Sequence, residues 1–171
     1  MVIAILVILV VIAVVLIGMY NSLVQLRIRC DSAWSDIDVQ LKRRHDLIPN
    51  LVETVKGYAA HEKGTFENIA KFRSQAMQAA TPADKAAAEN QLTGALKSLF
   101  AVAENYPQLK SDQNFRDLQS QLEGTENRIT VARNRYIQAV QDFNVTVRSF
   151  PTNLTAKLFG FQVKPNFTVA N

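Results

Sequence analysis

The chain has 171 residues, with 19 Lys and Arg against 15 Asp and Glu for a net charge of +4, one cysteine and two histidines. The excess is small and dispersed: Arg27, Arg29, Lys42, Arg43 and Arg44 are interleaved with Asp31, Asp36 and Asp38, as on solvated helix faces, which argues against a nucleic-acid partner. The single cysteine, Cys30, excludes an internal disulfide and any multi-cysteine metal site.

Residues 1–20 carry no charge, and the first charged side chain is Arg27. A helix over this stretch spans about 30 Å, the thickness of a bilayer's hydrocarbon core, whereas the apolar region of a signal peptide is roughly 7 to 15 residues long. No Lys or Arg precedes the apolar run, and Ile17-Gly18-Met19-Tyr20 is a poor cleavage site. We therefore expect a membrane anchor. All the Lys, Arg, Asp and Glu fall beyond it, in about 150 residues, the usual size of one soluble domain.

The anchor is expected to continue as helix through 20–48, where Leu23, Leu26, Cys30, Ala33, Ile37 and Leu41 recur every three or four residues. Pro49 should end this helix, because proline lacks an amide donor and pushes the residue before it out of the helical region. A second helix should start at Pro49 and fade near Ala79, with Leu51, Val55, Tyr58, Glu62, Phe66, Ile69 and Phe72 on its buried stripe. Thr81-Pro82 reads as a helix start, Thr as cap and Pro in the first turn, followed by Leu92, Leu96, Leu99, Ala103 and Tyr106 and closed by Pro107. After a polar loop at 110–114, the residues Phe115, Leu118, Leu122, Thr125, Ile129, Ala132, Tyr136, Ala139 and Phe143 hold a four-three rhythm, the seam of a long bundle helix. The rhythm stops at Phe150-Pro151.

Short connections force neighbouring helices to lie antiparallel. The expected fold is all-α: a transmembrane helix (1–20) continuous with the first helix of an antiparallel up-down four-helix bundle (21–150), then a short amphipathic or irregular tail (151–171).

The same residues carry a resemblance. Tyr20-Asn21-Ser22-Leu23-Val24, the run from Ala33-Trp34-Ser35-Asp36 to Lys42-Arg43-Arg44, Asp46-Leu47-Ile48-Pro49-Asn50-Leu51-Val52 and Val55-Lys56-Gly57-Tyr58 resemble the signature of the LemA family. His61-Glu62, Ala103-Glu104-Asn105-Tyr106-Pro107, Glu126-Asn127-Arg128 leading to Tyr136, and Phe150-Pro151 continue it over nearly the whole chain. The resemblance implies a bacterial inner-membrane protein with one N-terminal span and a helical-bundle domain, in a family without an established enzymatic activity.

The chemistry-bearing residues point the same way. His45 and His61 form neither Glu-x-x-His nor His-x-x-x-His, so the paired ligands of a bundle metal centre are absent from the sequence. Cys30 lies on the apolar stripe, where a thiol simply packs. No glycine-rich phosphate loop, Gly-x-Ser-x-Gly or paired-acid motif occurs. We therefore expect no catalytic residues, no metal and no cofactor. Three Asn-x-Thr sequons, at Asn144, Asn153 and Asn166, matter only in a eukaryotic secretory pathway.

The sequence thus predicts a membrane-anchored, non-enzymatic scaffold of the bacterial envelope. Its partners would be the lipid bilayer, further copies of itself and other envelope proteins. Arg43, Arg44 and Asp46 are the candidate partner-facing group at the membrane-distal end of the stem, and Leu23, Val24 and Ile28 the candidate self-association face. Arg27 and Arg29, following an anchor with no charge ahead of it, place the bundle in the cytoplasm and the N-terminus outside. Two alternatives are a pilus-like filament subunit, against which Ile3, Ala4 and Ile5 stand where a pilin carries its early glutamate, and a bundle that senses a ligand in its interior.

Overall fold

The computed structural model describes residues 1–167, and every regular element in them is helical: α1 (Val2–Lys56), α2 (Lys63–Gln78), α3 (Pro82–Ala103), α4 (Pro107–Ser111), α5 (Gln113–Arg148) and α6 (Thr152–Leu158). The first helix is 55 residues long, and none of its most apolar window is buried inside the protein. A core helix of that composition would be covered on most sides. This one leaves Val, Ile and Leu side chains from Val2 to Ile17 open to whatever surrounds it.

Pro49 does not end α1, contrary to expectation; the helix continues to Lys56. Proline inside a helix frees the carbonyl four residues back, here that of His45. That carbonyl accepts a hydrogen bond from Arg73 Nε of α2 at 3.0 Å, so the helix keeps its course with no orphaned acceptor. Burial of Ile48, Leu51 and Val55 rewards the continuation. The break comes instead at Gly57, and the second helix begins at Lys63 rather than Pro49. Likewise Pro107 opens a helix, the short α4, within what was expected to be the end of one helix and the loop after it. Asp112 then caps the start of α5, its carboxylate accepting from the Phe115 amide at 2.9 Å and from Tyr58 Oη at 2.9 Å. Those two donors hold the Asp112 carboxyl below its usual range, the Phe115 amide first. The start of α3 is as expected: Thr81 Oγ1 accepts from the Asp84 amide at 3.1 Å, with Pro82 in the first turn.

The contacts divide the chain into two units. Unit 1 is Met1–Ser35 with Asn134–Asn166, and unit 2 is Asp36–Arg133 with Phe167. In unit 2 one core draws on four long helices and on Leu109 of the short α4: Ile48, Leu51 and Val55 of α1, Phe66 and Ile69 of α2, Leu92, Leu96 and Leu99 of α3, and Phe115, Leu118 and Leu122 of α5. Helix α2 packs along α3, which also touches α4. In unit 1 the segment after α5 returns to α1. Phe159 and Phe161 set their rings 4.9 and 5.8 Å from that of Tyr20, and Thr155 Oγ1 lies 3.5 Å from Met19 Sδ. A left-handed glycine makes this return possible. Gly160, at φ 72°, ends α6 with the Phe161 amide donating to the Ala156 carbonyl at 2.8 Å and its own amide to Lys157 at 3.4 Å. This is the paired closure that glycine favours after a helix, and it turns Phe161 back toward Tyr20. Trp34 of α1 packs on Tyr136 of α5, with ring centroids 5.2 Å apart.

Candidate functional site

The α1 stripe that begins with Cys30, Ala33, Ile37 and Leu41 continues through Arg44 to Ile48, so a guanidinium sits where the spacing calls for an apolar side chain. The α3 stripe does the same, Glu89 preceding Leu92, Leu96 and Leu99. The two charges meet in the core of unit 2. Arg44 is 2% exposed, Glu89 is buried, and the Arg44 Nη2 donates to the Glu89 carboxylate and, at 3.2 Å, to its carbonyl. Arg44 Nη1 donates to Glu126 Oε2 of α5 at 2.6 Å and to Thr93 Oγ1 at 2.9 Å. The other Glu89 oxygen faces His45 Nε2 at 2.8 Å.

Burial alone would push the Glu89 carboxyl up, but the His45 and Arg44 hydrogen bonds and the Arg44 charge pull it below the usual glutamate range, so the carboxylate stays ionised. The half-buried guanidinium of Arg133 is shifted downward, chiefly by desolvation, with Glu126 and Glu89 opposing and Arg44 adding to the shift. A metal ion between Glu89 and Glu126 would have to displace Arg44, which already supplies the cation there. Among the described residues no group of three or more His, Cys, Asp or Glu is placed to hold a metal. What this arrangement can do is hold α1, α3 and α5 in one register, since Nη2 meets α3 and Nη1 meets both α3 and α5.

Beside it opens a cleft of about 390 Å³ lined by Asp38, Lys42, His45, Asp46, Met77 and Lys85 among others. An ion pair between Asp38 and Lys85 lies along its wall at 2.5 Å. Because Asp38 is nearly half exposed, Asp38→Ala is expected to lower stability by no more than about 1 kcal/mol in a denaturant titration. A larger loss would mean that this wall is part of the core.

Of the expected partner-facing group, Arg43 and Asp46 are at the surface, but Arg44 is not: the two carboxylates draw it inward. Of the expected self-association face, Leu23 is fully buried, Val24 is partly covered and Ile28 is 56% exposed. The segment after α5 folds onto this part of α1, as the Tyr20 ring contacts and the stacking of Arg27 over Phe161 at 5.7 Å show. Cys30 is buried as expected, and burial pushes its thiol up. Reading the sequence for motifs passed over Glu89 as a site residue; the signal available was a lone carboxylate on an apolar seam.

A family model described as the LemA family matches residues 33–171. The chain belongs to the LemA family. Among similar proteins, the magnetosome protein MamQ 2 of Paramagnetospirillum magneticum is 26% identical over 169 residues, covering 84% of this chain and 62% of that protein. MamQ of Magnetospirillum gryphiswaldense is 24% identical over the same length and shares. The protein LemA of Metamycoplasma hominis is 24% identical over 147 residues, 84% of this chain and 66% of that one. This LemA-family chain therefore spans about three fifths of the length of the MamQ relatives. The long apolar helix and these relatives together mark it as membrane-associated.

Proposed function

We propose that this chain is a non-enzymatic scaffold anchored in the bacterial inner membrane, assembling with copies of itself and with other envelope proteins. One observation carries the reading: the exposed apolar stretch and the core positions Ile48, Leu51 and Val55 belong to one unbroken helix, so the segment suited to a bilayer and the segment that builds the domain are covalently one element. Two others support it. The polar side chains best placed for chemistry, Arg44, His45, Glu89 and Glu126, are engaged with one another. The relatives called magnetosome proteins are named for a cellular body rather than for a reaction.

In this reading the four core helices of unit 2 form an up-down bundle, which their short connections favour. The bundle is cytoplasmic, on the strength of Arg27 and Arg29. Val24 and Ile28 supply the contact between stems, while Arg43 and Asp46 face a partner. Subunits fixed at one depth and orientation by their anchors close most simply as a ring about the membrane normal.

Mass measured in mild detergent tests the assembly. The full chain is expected to run as an oligomer and the Val24→Ser, Ile28→Ser double variant as a monomer. A wild type that is monomeric at micromolar concentration overturns self-association. Protease added to spheroplasts should spare the domain; digestion from outside reverses the orientation.

A further inference from the structure

Helix α6 buries Thr155 and Ala156 and leaves Leu154, Lys157 and Leu158 exposed on its other side. Leu158 is 71% exposed, and exposed Phe150 before the helix and Phe159 and Val163 after it add to the apolar surface. An open apolar surface of this size needs something to cover it. What covers it follows from where α6 is attached. Its buried Thr155 meets α1 at Met19, and Phe159 just after it meets Tyr20, the last residues of the apolar run before Asn21. With the apolar run from Val2 filling the hydrocarbon, those residues lie at the membrane-water boundary, the level at which tyrosine rings prefer to sit. A cleft of about 530 Å³ in the same segment is lined by apolar Val147, Ala156, Phe161 and Val163 and by the cations Arg148 and Lys157, with Asn153 and Gln162. Apolar groups and cations in one cleft match the chemistry of an acyl chain with its phosphate.

From this placement we infer that the segment 150–163 is a second membrane-contacting element, with the short helix α6 lying at the bilayer interface against the end of the span. Phe150, Leu154 and Leu158 enter the boundary between headgroups and acyl chains, ~5–10 Å deep as for amphipathic surface helices, and Arg148 and Lys157 bind lipid phosphates. The span then has an interfacial brace at its boundary, contributed by the far end of the chain.

This rests on reading α1 as the membrane span, and the test separates the two. Single nitroxides are placed at Val10→Cys, Leu158→Cys and Met77→Cys in a Cys30→Ala background, in the full chain reconstituted into phosphatidylethanolamine and phosphatidylglycerol vesicles. Collision rates with oxygen, which concentrates in lipid, are compared with those of a water-soluble nickel chelate. Leu158 and Met77 are exposed, so labels there leave the packing intact. The expected result is oxygen-dominated relaxation at positions 10 and 158 and nickel-dominated relaxation at 77. Nickel dominance at 158 with oxygen dominance at 10 overturns the inference and leaves the span standing. Nickel dominance at both 10 and 158 overturns the span, and the inference with it. Shielding from both reagents at 158, with spin-spin broadening, would show a second copy seated on this surface and overturn the lipid assignment. As a second measurement on the same element, Arg148→Gln with Lys157→Gln is expected to raise nickel access at position 158; unchanged access overturns the role given to those cations.

Discussion

Arg44→Met is expected to destabilise the protein by about 3–5 kcal/mol, the loss typical when one partner of a buried ion pair is removed and the other stays charged. Glu89 then has only His45 for its carboxylate, on a seam where water cannot reach it. Glu126 suffers less, being 43% exposed and able to turn to solvent. Adding Glu89→Leu to Arg44→Met should restore most of the loss, because two well-packed apolar residues of similar volume replace both charges at once. Urea titrations of the wild type, both single variants and the double variant form a cycle whose coupling term isolates the pair. A double variant as weak as Arg44→Met alone would mean that the arginine acts through Thr93 and Glu126 rather than through Glu89.

The pH response of the same group follows from its sign. The folded-state carboxyl of Glu89 lies below the ordinary glutamate value of 4.5, so its pairing contributes fully above that value and is lost as pH falls through the lower, folded one. Asp112, also lowered, contributes in the same direction. Wild-type stability should therefore decline on the acid side of about pH 4.5. In Arg44→Met the His45 hydrogen bond remains, but the Arg44 charge and hydrogen bond that oppose burial are lost, and the Glu89 carboxyl moves up. Protonation then relieves that variant, and the gap between it and the wild type should narrow as pH falls. A gap that widens toward acid would contradict the assignment of the buried charge.

Heptad spacing located the buried faces of α1, α3 and α5 because those helices follow a single apolar rhythm, and Leu23, Cys30, Ile37, Leu92, Leu99, Ile129 and Phe143 all turn inward as it requires. Helix ends were less legible. Pro49 reads as a stop under local rules, since the residue that compensates for its missing donor, Arg73, lies in another helix and leaves no mark near position 49. The same blindness to distant partners placed Arg44 at the surface. Its seam position between Leu41 and Ile48 was in plain view, and Glu89 stands at an equivalent place on the α3 seam, but a pairing between two seams appears only when the helices are side by side. The return of the segment after α5 to Met19 and Tyr20 joins residues more than a hundred positions apart, which no periodicity encodes.

That return is the subject of the second large effect. Phe143→Ala is expected to cost about 3–5 kcal/mol, as for a fully enclosed phenylalanine whose cavity closes poorly. Its ring lies 6.5 Å from that of Phe161 at an interplanar angle of 60°, and the next residue, Asn144, clamps the same segment through both sides of its amide. Asn144 Nδ2 donates to the Lys164 carbonyl and Oδ1 accepts from the Lys164 amide, each at 2.8 Å. Lys164 Nζ in turn pairs with Asp31 of α1. The aromatic contact supplies apolar burial and the clamp supplies direction, so losing Phe143 should loosen the polar contacts downstream with it. Trp34, the sole tryptophan, packs on Tyr136 in this same unit, so its fluorescence reports the melting that matters. The expected result is an earlier Trp34 transition together with faster tryptic cleavage at Lys157. Asn144→Ala, which removes the clamp and leaves the ring contact, should accelerate the cleavage with a smaller change in melting. A Phe143→Ala protein that melts within about 1 kcal/mol of the wild type and resists trypsin equally would mean that the C-terminal segment is held on α1 by the Tyr20 cluster alone.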